Sequence, residues 1–487
     1  MISRLYNKSI FIFRRDLRIE DNTGLINALL TSDLIYCFFI LDSNILSPKS
    51  LYTSFSLPIN ADHLFKKRQR RIHLLNFLRE SLLDLQGKFQ KLDFTKKKIN
   101  KGVDNFSLSK KLIFVYGDPY TIIKKIIQTD KDIEAIFVNR DYTPYSLKRD
   151  LLIKKICESS NIKFLECKDI LINEPGEILN VDNKPYRIFS QYYNKATKIP
   201  LRRNHSLDNK KLFSNVTIFD NTKLRNNDKI KVIYDIDKFF SLINPEQKDR
   251  IYNSPSLVGS RDSYLRLVSK LINRNKKSDM NKEEYLLDTS SSYLSPYLKF
   301  GLCSIREVYS SIQSGLGQNH PLLRQLYWRD FFVYIGFHFP FVFNNHFQER
   351  YRKINTIKWK NDPGEFEAWC NGNTGFPIVD AGMRELNQTG FMHNRIRLVA
   401  ASFLVKDLHI DWRYGERYFA LKLVDYDPAI NNGNWQWVAS TGCDTQPFFR
   451  IFNPWLQQKK FDPNCVYIKK WIPELREISN YTINEWY

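Results

Sequence analysis

Five short apolar runs, separated by stretches of helical periodicity, fill the first 170 residues and narrow the fold more than any other feature of the chain. The runs are SIFIFRR (9–15), LIYCFFILD (34–42), KLIFVYGD (111–118), AIFVNRDY (135–142) and IKFLECKD (162–169). Their length and β-branched content fit strands covered on both faces. Between them lie TGLINALLTS, RRIHLLNFLRESLLDLQ, TIIKKIIQ and SLKRDLLIKKICESS, which read as helices. Strict alternation of this kind predicts a doubly wound α/β domain over 1–170, built on a parallel five-stranded sheet. The basic stretch FTKKKINKG (94–102) reads as an exposed loop.

Residues 171–260 are irregular, and Arg202 to Lys231 is rich in Asn, Lys and Asp with little periodicity. This predicts a long surface connection between domains, partly mobile. From 261 to 487 the pattern becomes helical, in SYLRLVSKLI, SPYLKFGLCSIREVYSSI, LLRQLYWRDFFVYIGF, EFEAWC, VDAGMRELNQ, NRIRLVAASFLV and GERYFALKLV. Strand-like alternation is nearly absent, which predicts an all-α second domain. All nine tryptophans lie in this half, from Trp328 to Trp486. Leu could fill a core as well as Trp, so this segregation points to aromatic chemistry there.

The formal net charge of +22 favours a polyanionic partner, either nucleic acid or an acidic membrane face. Lys, Asn and Ile are abundant throughout, and solvated surface absorbs part of that charge. No apolar run reaches the roughly 18–20 residues of a membrane span. The N-terminal MISRLYNKSIFIFRRDLR reads better as a buried first strand than as a secretory signal, which predicts an intracellular protein. The cysteines at 37, 157, 167, 303, 370, 443 and 465 form no CxxC pair. Reduced, buried thiols are therefore expected, with neither a disulfide framework nor a metal site.

Four segments of the helical half carry chemistry. SSSYLSPYLKFG (290–301) sets Ser291, Ser292 and Ser295 at a helix start, where hydroxyls and free N–H groups suit a phosphate as well as ordinary capping. LVDYDPAINNGNWQW (423–437) reads as a polar loop bearing aromatic plates: Asp425 and Asp427, then Asn431, Asn432, Gly433 and Asn434, then Trp435 and Trp437. HNRIRLVAASFL (393–404) opens a helix on which Asn394 and Arg397 share a face while Arg395 points elsewhere. RQLYWRDFF (324–332) makes Gln325 and Trp328 helical neighbours, an amide beside an indole, suited to the edge and face of a flat heterocycle.

Together with FIFRRDLRIEDN (11–22), the stretch 375–419, FRIFNP (449–454) and KKFDPNCVYIKKWIPEL (459–475), these segments resemble the photolyase/cryptochrome family, most closely its class I cyclobutane pyrimidine dimer photolyases. The resemblance implies an α/β antenna domain, a connector, and a helical domain holding FAD. It assigns Ser291, Ser292, Leu294 and Ser295 to the FAD phosphates, and Arg329, Asn394 and Arg397 to the flavin pocket. Asp425 and Asp427 match residues binding the cofactor's polar edges. Asn431 matches the position facing flavin N5, where photolyases usually carry Asn. Trp435, Trp412 and Trp359 match the family's electron-relay tryptophans, and Trp328 and Trp437 the pair flanking a flipped-out dimer. Arg395, Arg450 and Gln457 correspond to positions near the DNA strand.

The implied activity is light-driven repair of cyclobutane pyrimidine dimers in UV-damaged DNA by an electron from reduced FAD, in a monomer. A second antenna chromophore (folate, deazaflavin or flavin) is left open, as are a cryptochrome-type blue-light receptor and a (6-4) photolyase. Gln325 stands where cyclobutane photolyases usually carry Glu, and Leu398 where a Met is common. The usual Tyr and Arg of the early FAD/DNA loop are not evident in RNKKSDMNKEEYLL (274–287). The (6-4) enzymes use a histidine pair in this pocket; Asn394 and Leu398 occupy the matching positions, and His393 points elsewhere.

Overall fold

The computed structural model describes residues 4–46, 71–91, 111–203, 210–224, 229–243, 257–276, 291–353, 357–444 and 451–485. The basic stretch 94–102, most of 274–287 and Arg450 lie outside these residues. The five expected strands form: β1 (Tyr6–Phe13), β2 (Ser32–Asp42), β3 (Leu112–Gly117), β4 (Ala135–Asn139) and β5 (Lys163–Cys167). The helices between them are α1 (Thr23–Thr31), α2 (Ile72–Lys91), α3 (Pro119–Thr129) and α4 (Pro144–Ser159). Capping fixes where several begin. Asn22, Asp118 and Thr143 each accept a first-turn N–H, and Pro opens α3 and α4, where its missing N–H costs nothing.

The sheet order is β5-β4-β1-β2-β3-β6. The sixth strand, β6 (Lys231–Ile233), comes from the segment read as a surface connection and pairs antiparallel with β3. Only three residues pair there, too few to show a period in the sequence. The connector also holds α5 (Phe189–Ala196) and α6 (Ile236–Ile243), and α5 is pinned by its buried Phe189, Tyr192 and Ala196.

The period of β1 decides how the halves join. Ile10 and Ile12 face α3 and α4, beside Ile122, Ile126 and Ile153. Phe11 and Phe13 face the other way, into one core with Phe77 of α2 and residues of the helical half. That half comprises α7 (Arg261–Lys276), α8 (Leu294–Phe300), α9 (Ile305–Leu316), α10 (Pro321–His338) and α11 (Pro363–Asn371). It continues through α12 (Pro377–Thr389), α13 (Asn394–Ser402), α14 (Trp412–Lys422), α15 (Pro428–Val438), α16 (Pro454–Phe461) and α17 (Val466–Trp471). Tyr297 and Phe300 of α8 and Phe331 and Tyr334 of α10 share the core with β1, so the two halves are not separately packed.

Buried charge reinforces this junction. The Asp169 carboxylate, beyond β5, accepts from Arg18 at 2.7 Å and from Arg306 of α9 at 2.8 Å. Arg306 also reaches Asp21 at 3.0 Å. All seven cysteines are buried and free, as expected. Among the described residues no helix is long and apolar enough to cross a membrane.

Candidate functional site

The stretch 423–437 is a loop only over its first five residues, 423–427. Residues 428–438 form α15, started by Asp427, whose Oδ1 accepts from Ala429 and Ile430 N–H, with Pro428 in the first turn. Asn and Gly disfavour a helix interior in isolation. Here tertiary bonds outweigh that preference: Asn432 Nδ2 and Gln436 Nε2 both donate to the Val342 carbonyl, at 3.1 and 2.9 Å. Gly433 lies so close to Phe332 that an added Cβ sits 2.8 Å from ring carbons. The helical form puts buried Asn431 and Trp435 on one face, i and i+4, and turns half-buried Trp437 away from them.

Asn431 Nδ2 donates to the Glu416 carbonyl on α14 at 3.0 Å. Trp435 packs edge-on against Phe419, with ring centroids 5.0 Å apart. Its indole fits because residue 415 is glycine; an added Cβ lies 2.5 Å from Trp435 Cζ3 and 2.6 Å from Leu404 Cδ2. Trp412 and Gly415 sit at i and i+3 on α14, so fully buried Trp412 shares the face that meets Trp435. The segment bearing Trp359 is bonded to the start of α14: Lys360 N–H donates to the His409 carbonyl and Asp411 N–H to Asn361 Oδ1. Trp435, Trp412 and Trp359 thus lie on three neighbouring segments, the first two buried and the third half-buried. Trp435 has a second indole neighbour that the sequence did not single out, Trp369, at 6.2 Å. It is fully buried and donates to the Ala400 carbonyl, leading inward rather than to the surface.

Ser295, Arg397 and Asp425 come from three separate elements and converge. Asp425 Oδ2 accepts from Ser295 Oγ at 2.6 Å and from Arg397 at 3.0 Å. Its Oδ1 is buried without a partner. A buried carboxylate oxygen left unpaired is costly, which marks a position where a ligand donor belongs. The serines do not cap α8 in the ordinary way: Tyr293 is its N-cap, in the left-handed region at φ 50, with no side-chain bond. Ser291 Oγ accepts from Tyr293 N–H, and Ser292 is half-buried beside it. Leu294 is buried under the first turn.

Asp427 is differently employed. Besides capping α15, its Oδ2 pairs with Arg15 from the end of β1 at 2.5 Å. Arg329 likewise holds Asp330 at 2.8 Å and the Ile170 carbonyl at 3.1 Å, fastening the connector to α10. Arg15 was not singled out from the sequence, although it stands in FIFRRDLR; nothing local foretells a partner 412 residues away.

Gln325 is exposed on α10, and Trp328, one turn on, is half-buried. Trp437 Nε1 donates to the Asp444 carbonyl at 3.2 Å. Asn394 is exposed at the start of α13, and Leu398 packs against the helical core. His393 caps this helix, its Nδ1 accepting from Arg395 N–H at 3.2 Å. Burial, with Arg397 and Arg395 nearby, lowers its imidazole to about 4, so it is neutral at pH 7. Arg395 lies over the Phe461 ring at 4.6 Å, on the same α16 that carries half-buried Gln457.

A cavity of about 1000 Å³ opens between the halves, at the carboxyl ends of β1, β2 and β3. Parallel α/β sheets place ligands at this edge. Its wall carries Arg14, Arg15, Arg71, Lys148, Arg149 and Lys299 with Asp42, Asp141 and Glu416; Arg14 and Arg149 pair with Asp150, and Arg15 with Asp141 and Asp427. Arg71 Nε and Glu416 Oε2 are buried without partners. Burial, then Arg15, lowers Lys299 to about 7, and burial raises Glu416 to about 8.

Two family models match the chain: "DNA photolyase" over residues 9–95 and 105–210, and "FAD binding domain of DNA photolyase" over 322–487. The deoxyribodipyrimidine photo-lyase of Alkalihalophilus pseudofirmus is 33% identical over 97% of this chain and 88% of its own length. That of Vibrio cholerae is 32% identical over 97% and 92%. A structure of an archaeal photolyase from Sulfolobus tokodaii with two FAD molecules superposes with a TM-score of 0.75 at 35% identity, covering 98% of this chain and 92% of that one. A class III photolyase from Agrobacterium tumefaciens superposes at 0.78 with 26% identity, covering 100% and 90%.

Proposed function

The chain belongs to the DNA photolyase family, and on that premise we infer that it repairs cyclobutane pyrimidine dimers in DNA with light, using FAD. One observation carries the site reading. A single helix, α15, presents Asn431 and Trp435 inward and Trp437 outward, so the cofactor side and the lesion side are two faces of one rigid rod.

The residues present fit FAD: the Asp425 oxygen without a partner, beside Arg397 and Ser295, offers an acceptor to a cofactor donor. Ser291, Ser292, Leu294 and Ser295 would hold its phosphates at the start of α8. When bound and reduced, FAD supplies the electron that light drives into the dimer. The protein supplies position and dielectric. Asn431, held by the Glu416 carbonyl, would face the bound ring. Asn394, Arg397 and Arg329 line the same pocket, and Asp427 contributes by anchoring α15 to Arg15. Trp328 and Trp437 wall the flipped-out dimer, with Gln325 at its polar edge, and the cost of unpairing is smaller at a lesion that already stacks poorly. Leu398 packs beneath. Arg395, Gln457 and Arg450 follow the DNA strand, so affinity falls as salt rises. Trp435, Trp412 and Trp359 would pass an electron inward toward bound FAD, with an external reductant restoring the outermost indole. The cavity between the halves has room for a second chromophore.

Illumination of the reduced protein with oligonucleotides bearing either lesion tests this. Restored thymines from the cyclobutane substrate alone are expected. Repair of only the (6-4) lesion would overturn the substrate assignment, and repair of neither, with flavin bound, would point to a light receptor.

A further inference from the structure

Trp412 is fully buried, so its indole N–H meets no bulk water. That N–H donates instead to Nδ1 of His346, 3.4 Å away, on the segment that follows α10. The two ring centroids lie 6.0 Å apart, with planes inclined by 59°. Trp369 and Trp437 donate to backbone carbonyls, which cannot keep a proton; an imidazole nitrogen can. His346 is half-buried, and its backbone is fixed from both sides. The Gln436 side chain of α15 donates from Nε2 to the Asn345 carbonyl at 3.1 Å and accepts from Phe347 N–H at 2.8 Å. The imidazole is thus placed beside α14 by bonds other than its own to Trp412. Burial, then Arg413, lowers its pKa against the opposing pull of Asp411, so the ring is neutral at pH 7 and Nδ1 accepts.

We propose that His346 is the proton acceptor of the relay: when Trp412 gives an electron to Trp435, its Nε1–H proton passes to His346 Nδ1. The proposal rests on reading Trp435, Trp412 and Trp359 as the electron relay to bound FAD. The oxidant is Trp435, left short of an electron by light-excited oxidised FAD. One N–H bond breaks on Trp412 and one forms on His346. Two neutral groups become a neutral indolyl radical beside an imidazolium, one electron poorer. An indole that has lost an electron is a far stronger acid than indole itself, and the positive charge growing on Nε1 tightens its bond to the acceptor. Once the proton has moved, an electron can return to Trp412 only if the proton returns with it. When Trp359 supplies the next electron, His346 gives the proton back to Nε1 and both groups are restored.

The test uses flash excitation of the protein carrying oxidised FAD, in a Trp359→Phe background that stops the transfer at Trp412. Transient absorption separates the cation radical of indole from its neutral radical. His346→Gln keeps an acceptor oxygen for the N–H but no basic nitrogen, and His346→Leu removes both, with the flavin spectrum as a check of folding. With His346 in place, the neutral radical should follow the cation radical, more slowly in deuterium-exchanged protein. In both variants that conversion should slow on the order of a hundredfold, and the electron should return to Trp412 sooner. A second readout needs no light: nitrogen NMR of the dark protein with isotope-labelled histidine, assigned against His346→Gln, should show Nδ1 bare and Nε2 protonated at pH 7. A neutral radical formed as fast in His346→Gln overturns the proposal, as does a cation radical that keeps its proton with His346 present, or a proton on Nδ1 in the dark. Trp412→Phe is measured alongside. If it leaves the transients of the wild type unchanged, the relay reading fails and the proposal with it; if it removes the radical while proton loss does not depend on His346, only the proton step fails.

Discussion

Replacing Asp169 by Asn should uncouple the two halves of the molecule. The Asp169 side chain is 1% exposed, and its partners Arg18 and Arg306 are each 2% exposed at the side chain. Oδ1 accepts from Arg18 and from Arg306, each at 2.8 Å, and from Thr23 Oγ1 at 2.9 Å, while Oδ2 accepts from Arg18 at 2.7 Å. Asparagine keeps one acceptor oxygen, removes the charge, and turns an N–H₂ toward two guanidinium groups. Removing one partner of a buried ion pair costs about 3–5 kcal/mol, because the remaining charges stay desolvated. At 1.4 kcal/mol per tenfold, the unfolding constant rises by roughly two to three and a half powers of ten. Urea unfolding, followed by far-ultraviolet circular dichroism and by flavin release, measures it. The pH dependence is a second check. Burial raises the carboxyl, but Arg18 and Arg306 outweigh it and leave Asp169 well below the usual carboxylate range. A carboxylate with a depressed folded value stabilises fully above its unfolded value and loses that contribution as pH falls toward the folded value. The gap between wild type and Asp169→Asn should therefore be constant at neutral pH and shrink below about pH 4. A loss under about 1 kcal/mol at pH 7 would place the junction's strength in the shared apolar core and refute the electrostatic argument.

Gly415→Ala should destabilise by roughly 1–3 kcal/mol, since the methyl group meets the Trp435 indole and Leu404 in a closed core; an unchanged urea midpoint would refute it. Trp359→Phe should abolish light-driven reduction of oxidised flavin while leaving repair by chemically reduced protein intact, read by absorption at the flavin bands; retained photoreduction would exclude Trp359 as the exit. Glu416→Gln should flatten the stability profile between about pH 4 and pH 8. Burial holds Glu416 at about 8, above its unfolded value, so the wild type loses stability as pH rises toward and through 8, and the variant does not. Parallel thermal midpoints from pH 5 to pH 9 would contradict this.

The residues that were legible in the sequence are those whose partners are near in the chain or whose pattern repeats. β1 to β5 show as apolar runs because both faces are covered, and α3 and α4 begin where Asp118 and Thr143 cap them. Trp435, Trp412, Asp425 and Ser295 were singled out for the site through the family's motifs. The misread stretch was 428–437, where Asn and Gly signal a loop and only the Val342 carbonyl and Phe332, about a hundred residues earlier in the chain, make a helix of it.

By itself the sequence determined the two kinds of layer, the reduced thiols and the family's set of chemical groups, because hydrophobic period and side-chain chemistry are local properties. Tertiary structure alone decided that Asp427 pairs with Arg15, that Asp169 sits between two arginines, that β6 joins the sheet, and that Phe189 lies against Trp328. Each of these joins residues far apart in the chain. Their energy exists only once the chain has closed the loop between them, and no local pattern records it.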